Sequence, residues 1–439
     1  MNSDRYVVEG FLRDAGMHPE TVNVAETAAS IMEEMNRGLR GEASSLQMIP
    51  TYIDAEKVIP LNRPAVVLDA GGTNLRTALV SFTEDGKTAV EDFRKQPMPG
   101  TGGRTVGREE FFAFLASLIK PLIRRSERIG FCFSYPTEIF PDKDGRLLHW
   151  SKEVRAPEVI GRFIGADLKD ALRECGVREE PGVVILNDSV AALLTGRAVN
   201  GGRRWGGSAG FILGTGTNTC YAESNAAILK AENLDAGGGQ VINCESGGFT
   251  GLVRGEGDVM LGETTSHPNA FWLEKMISGA YFGALTAQCV LLGCRKGVFS
   301  AEARKALDGL GCFSTKDADN YCHNPYDVKD NAIAAAFVAA SFSDRLRLRL
   351  LIDALLERAA RLTAANLAAA ILKSPAENGP MEPVCLTVDG TTYYRYYRFQ
   401  HRVESYLHPF LTERDKYYEI VQVNDAPLTG AAAAALTNL

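Results

Sequence analysis

The sequence predicts an internally duplicated α/β protein whose two halves face each other across a cleft. Three observations predict it. The chain has 439 residues, more than one ordinary core accommodates. Two blocks share a plan: a short apolar run enters a glycine-rich turn, strand-like segments follow, and helical and strand segments then alternate. Three Gly/Thr turns, at 69–74, 214–218 and 389–392, each come directly after a strand-like run.

Taken in order, the stretch to about Leu39 has apolar residues at helical spacing, and an irregular polar link follows through Ser44 and Ser45. Residues 65–70 (AVVLDA) read as a buried strand entering a tight turn. Residues 75–82 and 88–98 read as two further strands joined by a hairpin at EDGK. A helix at 108–123, a strand at 128–136, a loop-rich stretch at 137–157 and a helix at 158–175 come next. Residues 182–188 read as a strand ending at Asp188, followed by a helix. In the second block, strands are expected at 208–213, 219–224, 241–246, 384–389 and 417–423. Helices are expected from Phe271 to Leu292 and from Asn331 through Leu372 with one or more breaks. The closing LTGAAAAALTNL reads as a helix of small side chains that packs closely.

Composition narrows the function. Hydrophobic residues make up 45% and charged residues 23%, the balance of a soluble globular protein. A net charge of -7 leaves no basic footprint for nucleic acid. It is compatible with ATP, which backbone amides, helix N-termini and Mg2+ can bind without net positive charge. The nine cysteines form no CxxC pair, so neither a zinc site nor a disulfide framework is signalled, and they are expected to be reduced. The charged N-terminus lacks the apolar core of a signal peptide, and no run reaches the ~18 apolar residues of a membrane span. A cytoplasmic protein without membrane or nucleic-acid partners is expected.

The three turns carry the chemistry. Glycine lets the backbone approach phosphate, threonine adds a hydroxyl donor, and successive amides form an anion nest. One such turn is commonly just a hairpin, but three at strand ends point to a nucleotide. None matches GxxxxGK[ST] or a GxGxxG turn opening a βαβ unit. Asp188, between a strand and a helix, suits two roles. It could accept a proton from a hydroxyl in a cleft, or it could cap the helix.

The motifs together are similar to those of the hexokinase family of the actin-like ATPase superfamily, in family order from about Val66 to the C-terminus. DAGGTNLR (69–76) resembles its first phosphate motif. GFCFSYP (130–136) with LLHWSK (147–152) resembles its sugar signature, and VVILNDSVAALL (183–194) its catalytic segment. GFILGTGTNTCY (210–221) resembles the second phosphate motif. VINCESGGF (241–249) and WLEKMISGAYFG (272–283) resemble two sugar-contact segments. LTVDGTTYY (386–394) resembles the adenosine motif.

The resemblance implies a two-domain actin-like ATPase (ribonuclease H-like) fold with an interdomain cleft. It implies a small domain of 64–186 plus 428–439 and a large domain of 1–63 plus 187–427. The implied activity moves the γ-phosphate of ATP to the 6-hydroxyl of a hexose, with D-glucose the expected substrate. The chain would act as a monomer or homodimer. Asp188 is implied as the base and Lys152 as a donor to sugar and transferring phosphate. Ser134, Ser151, Asn187, Asp188, Asn218, Glu245 and Glu274 are implied to bind the sugar. Gly71, Gly72, Thr73, Asn74, Gly214, Thr215, Gly216, Gly390 and Thr391 are implied to bind ATP, with Asp69 holding Mg2+ through water. Arg76 either braces the first phosphate turn or pairs with a surface acid. On pattern alone Glu274 reads as a surface glutamate paired along its helix.

The chain departs from the family at Ser151, Glu153, Ser246 and Ala284. It also departs at Pro427-Leu428-Thr429, where the family usually has Ser-Gly-Lys and so has a lysine this chain lacks. A non-catalytic sugar sensor on the same scaffold is the alternative reading. A chaperone or filament-forming relative is disfavoured by the sugar signature. The bacterial repressor/sugar-kinase branch is disfavoured because its zinc-binding Cys/His cluster is missing.

Overall fold

The computed structural model describes residues 2–84, 86–150, 154–199, 203–375 and 379–439. Thirteen strands are described: β1 (Ile49–Pro50), β2 (Ala65–Ala70), β3 (Asn74–Phe82), β4 (Thr88–Pro97), β5 (Arg128–Phe133), β6 (Thr137–Ile139), β7 (Gly145–Leu147), β8 (Gly182–Leu186), β9 (Gly207–Leu213), β10 (Thr217–Ser224), β11 (Gly239–Asn243), β12 (Val384–Asp389) and β13 (Tyr418–Gln422). They build two mixed α/β sheets, ordered β4-β3-β2-β5-β8 and β1-β11-β10-β9-β12-β13, and one small hairpin, β6-β7. In each large sheet a meander of three antiparallel strands is extended by two parallel ones beside its first strand. The duplication expected from the sequence is therefore a repeat of sheet topology.

The apolar runs explain the layers. Every residue of β2 is buried, as a strand covered on both faces requires. Val66 and Leu68 face one core with Phe111, Leu115 and Leu168, from the helices Arg108–Ile123 and Ile164–Glu174. Ala65 and Val67 face another core with Val190 and Ala431–Ala435, from the helices Asp188–Val199 and Ala426–Asn438. The outer strand β4 is charged and exposed through Glu91, Asp92, Arg94 and Lys95, which discourages pairing with another chain at that edge. The second sheet buries Ala209, Phe211 and Leu213 of β9 under the long helix Phe342–Lys373.

The helices Asp188–Val199 and Ala426–Asn438 lie between the two sheets and cross closely. A Cβ on Gly430 would stand 2.0 Å from the Ala191 carbonyl oxygen, and one on Gly130 would stand 2.0 Å from that of Ala431. The small-residue helix is thus selected by contact distance. Gly430→Ala is expected to destabilise the protein by about 3 kcal/mol, the upper range for overpacking, because backbone rather than a flexible side chain must move. A thermal unfolding midpoint equal to wild type would contradict this.

The structure corrects several boundaries. The expected loop at 137–157 contains the β6-β7 hairpin, whose members are too short to show alternation. The helix expected over 158–175 begins only at Ile164, after a 3-10 turn at Pro157–Val159. The helix expected from Phe271 to Leu292 is two helices, Trp272–Ile277 and Phe282–Arg295, because Ser278 is extended. The strand expected to end at Asp188 ends at Leu186, and Asp188 opens the following helix. All nine cysteines are free. Among the described residues, no helix is long and apolar enough to cross a membrane.

Candidate active site

The strands place the site. Parallel sheets bind ligands beyond the carboxyl ends of their strands. The first Gly/Thr turn follows β2, Ser134 follows β5, Asn187-Asp188 follows β8, the second turn follows β9, and Gly390 follows β12. Almost all the candidate residues therefore sit at strand ends.

Around Asn218, amides and carboxylates interlock. Asn218 Nδ2 donates to Asn243 Oδ1 at 2.8 Å and lies 3.3 Å from Asn187 Oδ1 and 3.2 Å from Glu245 Oε1. Asn243 Nδ2 donates to the same Glu245 oxygen at 2.8 Å. Asn243 is thus a part of the cluster that the motif reading did not assign. Strand alternation gave no signal for it, because β11 ends at Asn243, two residues before Glu245. Glu245 itself adopts a left-handed conformation, φ 54° and ψ 48°. The Oε2 of Glu274 accepts the Thr217 N–H at 3.1 Å, next to Asn218. Glu274 is not a surface glutamate paired along its helix.

Burial pushes the Glu245 carboxyl up, and the Asp188 and Glu274 charges push the same way against the Asn243 and Asn218 amides. Burial also raises Glu274. Glu245 and Glu274 are therefore both held in poorly solvated surroundings. The sign follows directly. With its folded value raised, Glu245 holds its proton longer in the folded than in the unfolded state, so it takes stability away as pH rises from the ordinary carboxyl value of 4.5. Glu245→Gln keeps an oxygen for both amides. It is expected to raise the unfolding midpoint relative to wild type above that pH while weakening hexose binding. Parallel wild-type and variant midpoints across pH would contradict this.

Asp188 is half-buried and directly follows Asn187, whose Oδ1 meets Asn218 of this cluster. The first bond of its helix runs from Ala191 N–H to the Asn187 carbonyl, so Asn187 is the residue in the cap position. The Ser189 N–H lies 2.9 Å from both Asn187 Oδ1 and Asp188 Oδ1. The cap is shared, and helix capping does not rest on Asp188 alone. Asp69 on β2 pairs with Cys132 on β5, and Cys132 pairs with Leu186 at the end of β8, so three adjacent strands carry Asp69, Cys132 and the segment leading to Asp188.

Beside the first Gly/Thr turn, Arg76 reaches Asp69 Oδ2 through Nε at 2.6 Å and Asp425 Oδ1 through Nη1 at 3.3 Å. Arg76 meets both descriptions, bracing the turn through buried Asp69 on β2 and pairing with exposed Asp425, which stands in the cap position of the last helix without a side-chain cap bond. Burial raises Asp389, with the Gly390 N–H and Arg76 opposing and Asp425 adding. Thr73, Asn74, Thr215 and Thr391 are exposed in their turns. Gly71 donates to the Asn74 carbonyl at 3.1 Å, and Gly214 to that of Gly216 at 3.0 Å. The last two turns are tied together: the Gly214 carbonyl accepts the Gly279 N–H and the Thr392 hydroxyl, each at 2.8 Å. Thr392, not Thr391, makes this link. Gly390, at φ 117°, passes so close that a Cβ would stand 2.2 Å from the Leu213 oxygen. Ser134 has its hydroxyl 3.9 Å from the Cys132 sulfur. Ser151 and Lys152 lie outside the described residues.

Two lobes of matching topology, with Gly/Thr turns meeting at their strand ends, define the two-domain actin-like ATPase fold. Comparison with known proteins narrows this. A sequence model of hexokinase matches residues 208–437 and a second matches residues 9–198, so the chain belongs to the hexokinase family. It is 28% identical to the hexokinase-like 1 protein of Arabidopsis thaliana, over 95% of this chain and 88% of that one. It is 29% identical to hexokinase-1 of Oryza sativa subsp. japonica, over 99% and 91%. It is also 29% identical to hexokinase-3 of Homo sapiens, over 86% of this chain and 41% of that longer one, so it spans less than half of that relative. Among solved structures, it shares its fold with a hexokinase from Schistosoma mansoni complexed with glucose, with a TM-score of 0.74 at 22% identity and 99% of each chain covered. It matches a further hexokinase crystal structure with a TM-score of 0.79 at 22% identity and 100% of each chain covered.

Proposed function

We propose that the chain is an ATP-dependent hexokinase that transfers the γ-phosphate to the 6-hydroxyl of a hexose, D-glucose in the first instance. The observation that carries the reading is the position of Asp188, beside Asn187 of the amide–carboxylate cluster and just past β8, whose Leu186 pairs with Cys132 of β5, the strand partner of Asp69. A sugar hydroxyl is a poor nucleophile, and a carboxylate at the cleft would take its proton as transfer proceeds. Asn187, Asn218, Glu245 and Glu274 would read the hydroxyls, each carboxylate accepting from more than one. Ser134, Ser151 and Lys152 would complete the sugar contacts. Gly71, Gly72, Thr73, Asn74, Gly214, Thr215, Gly216, Gly390 and Thr391 would hold the nucleotide.

Mg2+ fits this donor set through Asp69, a buried oxygen donor at the first phosphate turn. Among the described residues no group of three or more His, Cys, Asp or Glu could hold an ion by itself. Asp69 would supply one carboxylate, with water and phosphate oxygens supplying the rest. When bound, the ion neutralises phosphate charge. Arg76, braced by Asp69 and Asp425, supplies the turn's own positive charge.

We also propose the division into a small domain of 64–186 plus 428–439 and a large domain of 1–63 plus 187–427. The packing of the last helix against the first sheet supports it. Closure of the two would exclude water from the phosphate. Incubation with ATP and a panel of hexoses, with the product's phosphate located by NMR, tests the reading. Phosphate on the 6-oxygen is expected, and phosphate on another oxygen or none would overturn it.

A further inference from the structure

Tyr135 plays no part in the reading above, yet it joins the two sides of the site. It lies just beyond β5, is 2% exposed, and donates its hydroxyl hydrogen bond to the carbonyl oxygen of Gly71 in the first Gly/Thr turn. The preceding Ser134 N–H reaches the Ala70 carbonyl at 3.3 Å, so the two segments run together at this point. The ring cannot swing. Trp150 stands edge-on to it, with centroids 4.7 Å apart at 86°, and Phe133 lies 4.9 Å away on the same strand end. Trp150 is itself anchored by its Nε1, which donates to the Ala156 carbonyl at 2.8 Å. Burial, with the Asp69 charge adding, keeps the phenol protonated and therefore a donor.

The consequence follows from peptide geometry. A carbonyl and the next residue's N–H belong to one rigid trans unit and point in opposite directions. Holding the Gly71 oxygen therefore fixes the Gly72 N–H. With glycine on both sides, side-chain sterics do not fix that plane. We propose that Tyr135 is a positioning residue for the phosphoryl donor, its hydroxyl holding the Gly71–Gly72 peptide so that the Gly72 N–H is presented to phosphate in one orientation. The inference rests on the reading of 69–74 as a phosphate turn.

The test is Tyr135→Phe, which removes one oxygen and leaves the ring against Trp150. Binding of a non-hydrolysable ATP analogue with Mg2+, and separately of hexose, is measured by calorimetry alongside steady-state kinetics. Nucleotide Kd and KM are expected to rise about five- to tenfold, the size of one hydrogen bond. The kcat is expected to stay within about twofold, as for a contact made equally in ground and transition states. Hexose Kd is expected to be unchanged. An unchanged nucleotide Kd would overturn the proposal. So would an equal loss of hexose affinity, which would mark a general packing defect. Absence of nucleotide binding by the wild-type protein would instead remove the phosphate-turn reading, and the proposal with it.

Discussion

Asp188→Ala should bind hexose with nearly wild-type affinity and transfer phosphate about 10^3-fold more slowly, within the range for loss of a positioned general base. Two features separate chemistry from folding here. Asn187 holds the cap position, and its Oδ1 accepts both the backbone N–H and the hydroxyl of Ser189, at 2.9 Å and 3.0 Å. The helix start therefore survives loss of the neighbouring carboxylate. The amide–carboxylate cluster of Asn218, Asn243 and Glu245 is closed by its own hydrogen bonds and does not depend on Asp188. Removing a negative charge near Glu245 also relieves repulsion, so hexose affinity has no electrostatic reason to fall. Asp188→Asn keeps the shape and discards the proton acceptor, and its rate should match that of the alanine variant. A rate near wild type in either variant would remove Asp188 from the base role.

Arg358→Met should destabilise the large lobe by about 3–5 kcal/mol, the loss that follows when one partner of a buried ion pair is removed. Arg358 is 1% exposed, in the middle of the helix Phe342–Lys373. Its two terminal nitrogens bond Asp258 Oδ1 and Oδ2 at 2.9 Å and 2.7 Å, and Asp258 is also 1% exposed. The same guanidinium reaches the Val253 carbonyl at 3.2 Å and the sulfur of Met276, in the short helix that carries Glu274. The pair therefore fastens the short helix Trp272–Ile277 to the longest helix. Methionine fills the volume but leaves Asp258 charged in an apolar setting. The double variant Arg358→Met with Asp258→Asn removes that stranded charge and keeps an acceptor for the Gly255 N–H, 2.8 Å away in the wild type. It should recover at least half of the loss. Unfolding midpoints of the three proteins check this, and a single variant as stable as wild type would contradict it.

The fold was largely readable because apolar runs and glycine turns are local signals. β2, β5, β8, β9 and β12 each appear as buried runs, and both sheets follow from them. Errors arose where tertiary contact overrides local pattern. Residues 272–295 keep helical spacing throughout, yet the chain breaks at 278–281, where Gly279 and Ala280 donate to the Gly214 and Thr215 carbonyls. The Ser278-Gly279 pair is a local turn signal, but nothing local announces that the segment braces a turn some 60 residues earlier. The candidate site was readable through its motif order rather than through single residues. Asp188 alone looked like a cap, and Glu274 alone looked like a solvated helix residue. Asn243, Thr392 and Tyr135 escaped because their partners are backbone or neighbouring amides across the fold, which spacing along one strand does not reveal. The altered Pro427-Leu428-Thr429 segment has a structural counterpart. Leu428 and Thr429 are buried, and Arg76 meets Asp425 at the start of the same helix, where the usual lysine is missing.

Hexose-dependent release of ADP from ATP by the purified wild-type protein tests the central claim most directly. The account predicts ADP formed in equal amount to hexose 6-phosphate with glucose present, and almost none without sugar. Tight glucose binding with no ADP above the sugar-free rate would contradict it and leave a sugar sensor on a hexokinase scaffold.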